Sequence, residues 1–405
     1  MAGNSLLSPT IITREALRIL HANLNFIGNV NKQYDDQFAN AGASPSGKIG
    51  PSLTIRMPNQ YTVRTGSVLQ VQDTVETSQV LTVSTQKGVD TVFSSQDLTL
   101  TIDEFSKRYL QPAMSVLASN IEADALSMIK DVYNVVNGST AAFTYADFAN
   151  ARKTLNQYLA PPMDRCATLT PGHVVSFLDA IKGFFNPQES VSRPYLTGKI
   201  GKVNGFDTYE NTLLNNFQSG TAANTTGYTA TLTSGSATAV MAAGANTFKK
   251  GDIVTFSTVD AVDPETKLDR GFLQQFVVVN DYAGGAGNMT ISPTPVTSGA
   301  TQNVTAVGAG LTVVKIGSTA AAPTGASALY QQSLVFHPEA FTFVTADLID
   351  VSKFGAWGAR QVMDGISMRI ARQYDITNDN IPCRIDVLYG YKTLRPQLAC
   401  RIIAQ

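Results

Sequence analysis

The side chains best suited to chemistry are few and scattered. Histidine occurs three times, as His21, His173 and His337. Their spacing fits no His-x-x-His or zincin pattern, and no cysteine stands at ligand spacing from any of them, so no metal site is expected and the three read as structural side chains. His337-Pro338-Glu339 sets an imidazole beside a carboxylate, the combination a general acid–base pair uses. Pro338 cannot donate to a sheet ladder, however, so the tripeptide reads as a corner where a strand ends. Asp103-Glu104 and the pair Glu122 and Asp124 read as a helix N-terminal turn and a solvated helix face. The glycine clusters at 283–287 (AGGAG) and 308–310 (GAG) match neither GxGxxG nor a P-loop, and no GxSxG occurs. Both clusters lie between β-like runs and read as turns. No catalytic, cofactor or metal site assembles from these residues, so the chain is not expected to be an enzyme and no cofactor is expected.

Composition narrows the class further. Cys166, Cys383 and Cys400 are odd in number and far apart, which argues against a disulfide framework and suits a reducing compartment. Charged residues make up 15% of the 405, against roughly 25% in an average soluble protein. Thirty basic residues nearly balance thirty-one acidic ones, so there is no global basic field for nucleic acid. The apolar fraction, 43%, is ordinary. A surface this poor in charge, over a core of normal richness, suggests faces hidden against other copies of the chain. No run approaches the roughly 20 apolar residues that span a bilayer, and the first ten residues carry neither a basic nor a long apolar region of a secretory signal.

These residues must be positioned by a succession of distinct segments. Residues 1–46 form an arm: Ile12, Ala16, Leu17, Leu20 and Leu24 sit at helical spacing, and AGASPSG then makes a flexible joint. From Ile49 to Leu100 the period changes to two, in SLTIRMP, QYTVRTG, VLQVQDTVE, QVLTVST and DLTLTI, which predicts a long antiparallel hairpin over residues 47–100. Residues 101–143 return to helical spacing. A short stripe at Ile102, Phe105 and Tyr109 precedes Pro112, and Val116 to Val136 predicts one helix of roughly 25 residues, about 37 Å long, ending at Asn137-Gly138. Residues 144–216 alternate helix (Tyr145–Leu159), strand (Cys166–Thr170), helix (Pro171–Phe185) and strand (Gly205–Tyr209), as a mixed α/β domain. No charge occurs between Glu210 and Lys249, or between Asp281 and Lys315. In and around these tracts TATLT, DIVTFS, QQFVVVND, NMTISP and LTVVKI predict a small β-barrel or sandwich inserted over residues 217–325. Residues 326–405 resume the interrupted domain, with strands expected at Leu334–Leu348, Ile366–Ile376 and Cys383–Tyr389. From Lys353 onward eight basic face four acidic side chains, a pattern suited to intersubunit ion pairs or a nucleic-acid surface.

This order of segments resembles the major capsid proteins of tailed phages, and most closely the P22-type coat-protein family. The resemblance is carried by SLTIRMPNQYTVRTG, by LTIDEFSKRYLQPAMSVLASNIEADAL, by LVFHPEAFTFVTADL and by GISMRIARQYDITNDNIPCRIDVLYGYKTLRPQLACRI. It implies an α+β fold of the Hong Kong 97 capsid type, with N-arm, E-loop hairpin, P-domain with spine helix, A-domain and an inserted β-barrel domain. It implies a virion protein, assembled in the bacterial cytoplasm into hexamers and pentamers and enclosing double-stranded DNA. Its partners would be a separate scaffolding protein, a portal protein at one vertex and, on the outer face, a decoration protein; no membrane is implied. No cross-linking Lys–Asn pair is assigned, so the joints are expected to be non-covalent. In the hairpin, Arg56, Arg64, Asp73 and Glu76 become candidates for pairing across subunits, and the apolar arm helix for reordering during shell expansion. A competing expectation, an extracellular carbohydrate-binding or adhesin-like module, rests on the Thr/Ser/Gly-rich insert.

Overall fold

The computed structural model describes residues 9–22, 24–34, 50–73, 76–94, 111–137, 143–181, 201–214, 216–222, 228–242, 247–316, 329–349, 351–355, 357–363 and 365–404. The expected stripe at 102–109, the Asp103-Glu104 pair, the AGASPSG joint and the extension of a helix to Phe185 lie outside these residues. The chain divides into two compact units.

The first unit comprises Met1–Arg56, Ser78–Leu126 and Phe341–Lys392. Helix α1 (Pro9–Ala22) buries Ala16, Leu17 and Leu20, the stripe read from the sequence. Strand β1 (Ser52–Arg56) pairs antiparallel with β2 (Ser78–Thr82), and only Ile55 and Leu81 of the pair are buried. Strand β3 (Thr85–Ser94) does not extend this hairpin. It runs antiparallel to β19 (Asn380–Thr393), from Thr85 opposite Tyr389 to Ser94 opposite Asn380. A five-stranded sheet results, in the order β16 (Phe341–Ala346), β19, β18 (Ile366–Arg372), β17 (Trp357–Met363), with β3 on β19. Helix α2 (Gln111–Leu126) buries Met114, Leu117, Ala118, Ile121 and Ala125.

Helix α2 ends well short of the expected Val136. The chain passes into a 3-10 turn (Ser127–Asp131) and then strand β4 (Val135–Asn137). Met128, Ile129 and Val132 are buried and keep the three-four spacing, so apolar periodicity cannot mark the change. The adjacent β-branched Val135 and Val136 favour an extended backbone, and β4 finds a parallel partner in β20 (Ala399–Ala404).

The second unit comprises Met57–Thr77, Ser127–Ala340 and Thr393–Gln405. Its mixed sheet has the order β4, β20, β15 (Leu329–Phe336), β5 (Cys166–Leu169), β7 (Phe206–Glu210), β6 (Lys202–Val203), with β8 (Phe217–Gln218) also on β15. Helices α3 (Tyr145–Gln157) and α4 (Pro171–Ile181) accompany it. Thr144 starts α3 with a reciprocal capping box to Asp147, which satisfies amides that a helix start otherwise leaves unpaired. The span Leu334–Leu348, expected as one strand, is two: His337-Pro338-Glu339 opens a 3-10 turn between β15 and β16, the corner expected from Pro338.

The insert is a closed six-stranded antiparallel barrel, in the order β10 (Thr238–Met241), β13 (Gly287–Ser292), β12 (Asp269–Val278), β11 (Ile253–Val262), β14 (Leu311–Ile316), β9 (Tyr228–Leu232). Alternate residues point inward: Val254 and Phe256 from β11, Phe276 and Val278 from β12, Met289 and Ile291 from β13. Closure leaves no edge strand open to pairing with another chain. Tyr330 of β15 pairs with Phe217 of β8, so the chain enters and leaves the barrel through adjacent strands.

Candidate assembly surfaces

Residues 57–77, which link β1 to β2, carry the candidate hairpin contacts. The alternating runs QYTVRTG and VLQVQDTVE predict strands there, but the described residues between Met57 and Thr77 form none. Side chains take over the pairing. The Gln72 carboxamide accepts from the Thr62 amide at 2.9 Å and donates to the Thr62 carbonyl. Arg64 donates to the carbonyls of Gly66 and Val68. Arg64 thereby braces its own turn, while Arg56 ends β1 opposite Ser78. Arg56, Arg64, Asp73 and Glu76 are all exposed. Between them Tyr61, Val63, Val68, Leu69 and Val71 are exposed as well, Val63 to 93%. Five large apolar side chains exposed within eleven residues make a surface of the kind that marks an interaction site.

The basic residues of the C-terminal segment, by contrast, are largely engaged within the chain. Arg369 binds Asp386 through two bonds of 3.0 and 2.6 Å, and Gln86 donates to the same carboxylate. Arg384 binds Asp90 across the β19–β3 pair, and Arg360 lies 3.4 Å from Asp347. Cross-strand register thus sets Arg369 opposite Asp386 and Arg384 opposite Asp90 within the chain.

Glu122 is also corrected. It was expected on a solvated face, but it is fully buried. Its carboxylate accepts from the backbone amides of Asn25 (3.1 Å), Phe26 (2.5 Å) and Ile27 (3.4 Å). These amides open the 3-10 turn Ile27–Asn29 that follows the arm helix, so one carboxylate caps the end of the arm and ties it to α2. Asp124, two residues on, accepts from Tyr389 Oη and pairs with Lys87 at 2.7 Å.

At the root of the barrel a second buried charge group appears. Arg401, on β20, is fully buried and donates to the Gly251 carbonyl at 2.8 Å. Lys315, at the end of β14, donates to Ser219 Oγ and the Gly220 carbonyl. Asp252 accepts from the amides of Gly220 and Lys249. Its pKa is raised by burial and pulled back by the Lys315 charge, by the amides of Lys249 and Gly220 and, last, by the Arg401 charge; Lys315 and Asp252 meet at Gly220, and Arg401 meets Gly251 beside Asp252.

Among the described residues, His173 and Ser333 form a pair with nucleophile–base geometry, Nδ1 to Oγ 2.6 Å. Both are buried, and the imidazole stacks on Phe143 with ring centres 5.0 Å apart, so the pair is structural. Burial lowers the imidazole pKa from 6.5 to about 4. Between those values the unfolded chain binds a proton that the folded chain does not, so stability is complete above about pH 6.5 and declines as the pH falls toward 4. The full loss from this group is at most about 3 kcal/mol. Urea unfolding at pH 7.5 and 4.5 is expected to show a smaller pH difference in His173→Asn than in wild type. Equal differences would place the acid sensitivity elsewhere. His337 accepts from the Glu339 amide at 3.4 Å, and the side chain of His21 lies outside the described set. Among the described residues no three His, Cys, Asp or Glu converge as metal ligands. Cys166, Cys383 and Cys400 are free and buried.

A family model described as P22 coat protein, gene protein 5, matches residues 1–401. No curated protein matches the chain. Among solved structures, the chain is similar to that of Mycobacterium phage Che8 at 12% identity, covering 94% of this chain and 90% of that one, with a TM-score of 0.47. It is similar to the mature capsid of bacteriophage PhiM1 at 14% identity, covering 88% and 82%, with a TM-score of 0.43. A virus-like particle from Pyrococcus furiosus follows at 7% identity, covering 96% and 97%, with a TM-score of 0.38.

Proposed function

Because the chain belongs to the P22 coat protein family and is the major capsid protein of an icosahedral head, we propose that its copies join as hexamers and pentamers through the exposed apolar segment 57–77. The fold is of the Hong Kong 97 type with the barrel inserted, and many copies of the chain build the shell. On this reading the tip of the E-loop, residues 57–77, lies over a neighbouring subunit, and Arg56, Arg64, Asp73 and Glu76 pair with that neighbour. Exposed pairs of this kind contribute about 0–1 kcal/mol each; repetition around a closed shell converts such weak contacts into strong avidity. A scaffolding protein guides assembly in the bacterial cytoplasm, a portal occupies one vertex, a decoration protein binds the outer face, and double-stranded DNA is packed without sequence-specific contacts. The chain itself performs no catalysis.

The observation that carries this reading is the exposure of Tyr61, Val63, Val68, Leu69 and Val71 on a segment held by its own side-chain bonds. Replacing Val63, Val68 and Val71 together by serine is expected to leave the melting temperature unchanged, since these side chains bury nothing within the chain. The same variant should fail to form shells in electron micrographs where wild type forms particles of uniform size. Normal shells from the triple variant would remove the segment from the joint. The adhesin reading has no support from the aromatic side chains: the lone Trp357 lies outside the barrel, and the Arg372 guanidinium sits 3.7 Å over its ring, so it offers no open platform on that face.

A further inference from the structure

Two exposed turns of the second unit are held by their own hydrogen bonds, and among the described residues nothing covers their apolar side chains. The first joins α3 to β5. Leu159 and Asp164 adopt left-handed backbone (φ 56° and 55°), which a branched residue such as Leu159 rarely adopts without restraint. The restraint is Arg165, which is buried and donates from Nη2 to the Ala160 carbonyl (2.6 Å) and from Nε to the Pro161 carbonyl (2.7 Å). With Pro161 and Pro162 fixing the intervening backbone, the turn presents Met163, 72% exposed, and Leu159, 47% exposed.

The second turn joins β11 to β12 of the barrel. Asp263 accepts from the amides of Glu265 and Thr266, both at 2.9 Å, and from Arg270 Nη2 at 2.7 Å. Lys267, at φ 60°, donates to the Pro264 carbonyl. Leu268, whose carbonyl closes this turn onto the Asp263 amide, is 69% exposed. The two turns share a base: the Arg270 guanidinium lies 5.6 Å from the ring centre of Tyr158, the residue before Leu159, and Tyr158 Oη donates to Gln274 on β12. Each turn is thus braced by an arginine, and each exposes apolar side chains: Leu159 and Met163 on the first, Leu268 at the closing end of the second.

We propose that Leu159, Met163 and Leu268 form a preorganised docking patch for a second copy of this chain. A free subunit gains nothing by holding leucine and methionine tips rigid in water, whereas a partner that binds them avoids the ordering cost. The exposed rim carries Asp164, Glu265 and Asp269, which disfavours packaged DNA as the occupant, and the chain is one that assembles with many copies of itself. The inference rests on the shell reading and adds a contact separate from segment 57–77.

The test introduces p-benzoylphenylalanine in place of Met163 and irradiates purified shells. An adduct of twice the subunit mass is expected; no adduct, or an adduct only with a different protein, overturns the proposal. In parallel, Met163→Glu and Leu268→Glu are expected to keep the wild-type melting temperature and to raise the subunit concentration needed for shells about tenfold or more, as loss of a central apolar anchor does. Wild-type assembly by both variants overturns the patch and leaves the shell reading standing. A wild-type chain that never forms shells overturns both.

Discussion

Replacement of Asp252 by alanine is expected to destabilise the second unit by about 3–5 kcal/mol, because removing one partner of a buried charge group strands the others in the interior. The stranded groups are Arg401, fully buried, and Lys315, 1% exposed. The same change orphans the amides of Gly220 and Lys249, both held by Asp252 Oδ2. The three charges come from β20, from the turn before β11 and from the end of β14, so together they tie the barrel to the sheet that carries it. An ordering of variants follows. Arg401→Met should cost less than Asp252→Ala, since Lys315 and Asp252 remain to balance one another. The double variant should cost less than the sum of the two, since it removes the stranded guanidinium along with the carboxylate. Urea unfolding gives the three energies, and hydrogen exchange of β11 and β14 locates the loss. Strict additivity would mean that Arg401 and Asp252 do not interact, and would leave Arg401 as a packing residue held by the Gly251 carbonyl alone.

These charges illustrate what the sequence conceals. The barrel was legible because its strands alternate threonine with apolar residues between glycine turns, a local pattern that closure of the sheet reinforces. The arm helix was legible for the same reason, its stripe from Ala16 to Leu20 being buried as spaced. The hairpin tip misled because alternation signals a strand only where a partner strand exists, and Gln72 and Arg64 pair the backbone instead. Helix α2 was drawn too long because a buried 3-10 turn and a short buried strand can keep three-four spacing. The functional charges were missed for a different reason. Glu122 meets amides almost a hundred residues earlier, and Arg401 meets the Gly251 carbonyl 150 residues earlier. No local rule separates such an acid from a solvated one, and only the fold decides which charge is interior. Low overall charge, the first oddity of the composition, is then partly a property of the barrel and its two uncharged tracts, so less of it needs covering by neighbours.

Glu122→Ala is expected to release the arm. The carboxylate is the acceptor for three consecutive amides, of which Phe26 and Ile27 are buried; charge-assisted bonds and the desolvation of the orphaned donors together put the loss at about 3–5 kcal/mol. Glu122→Gln keeps the volume and an oxygen acceptor but loses the charge, and should fall between wild type and alanine. Hydrogen exchange reads the effect directly: in the alanine variant, protection should fall across residues 12–30 while β18 and β19 keep theirs. Unchanged protection of the arm would show that apolar packing of Ala16, Leu17 and Leu20 holds it without the carboxylate. A consequence for assembly follows from the geometry. Three backbone amides of the arm converge on this one side chain, so their bonds to α2 can be broken and remade together, which suits an element that reorders during shell expansion. Glu122→Ala subunits should therefore behave like subunits lacking residues 2–30, both failing to give uniform expanded shells. If the deletion abolishes expansion and Glu122→Ala leaves it intact, the arm acts through its own contacts, and the carboxylate is only an anchor for the resting fold.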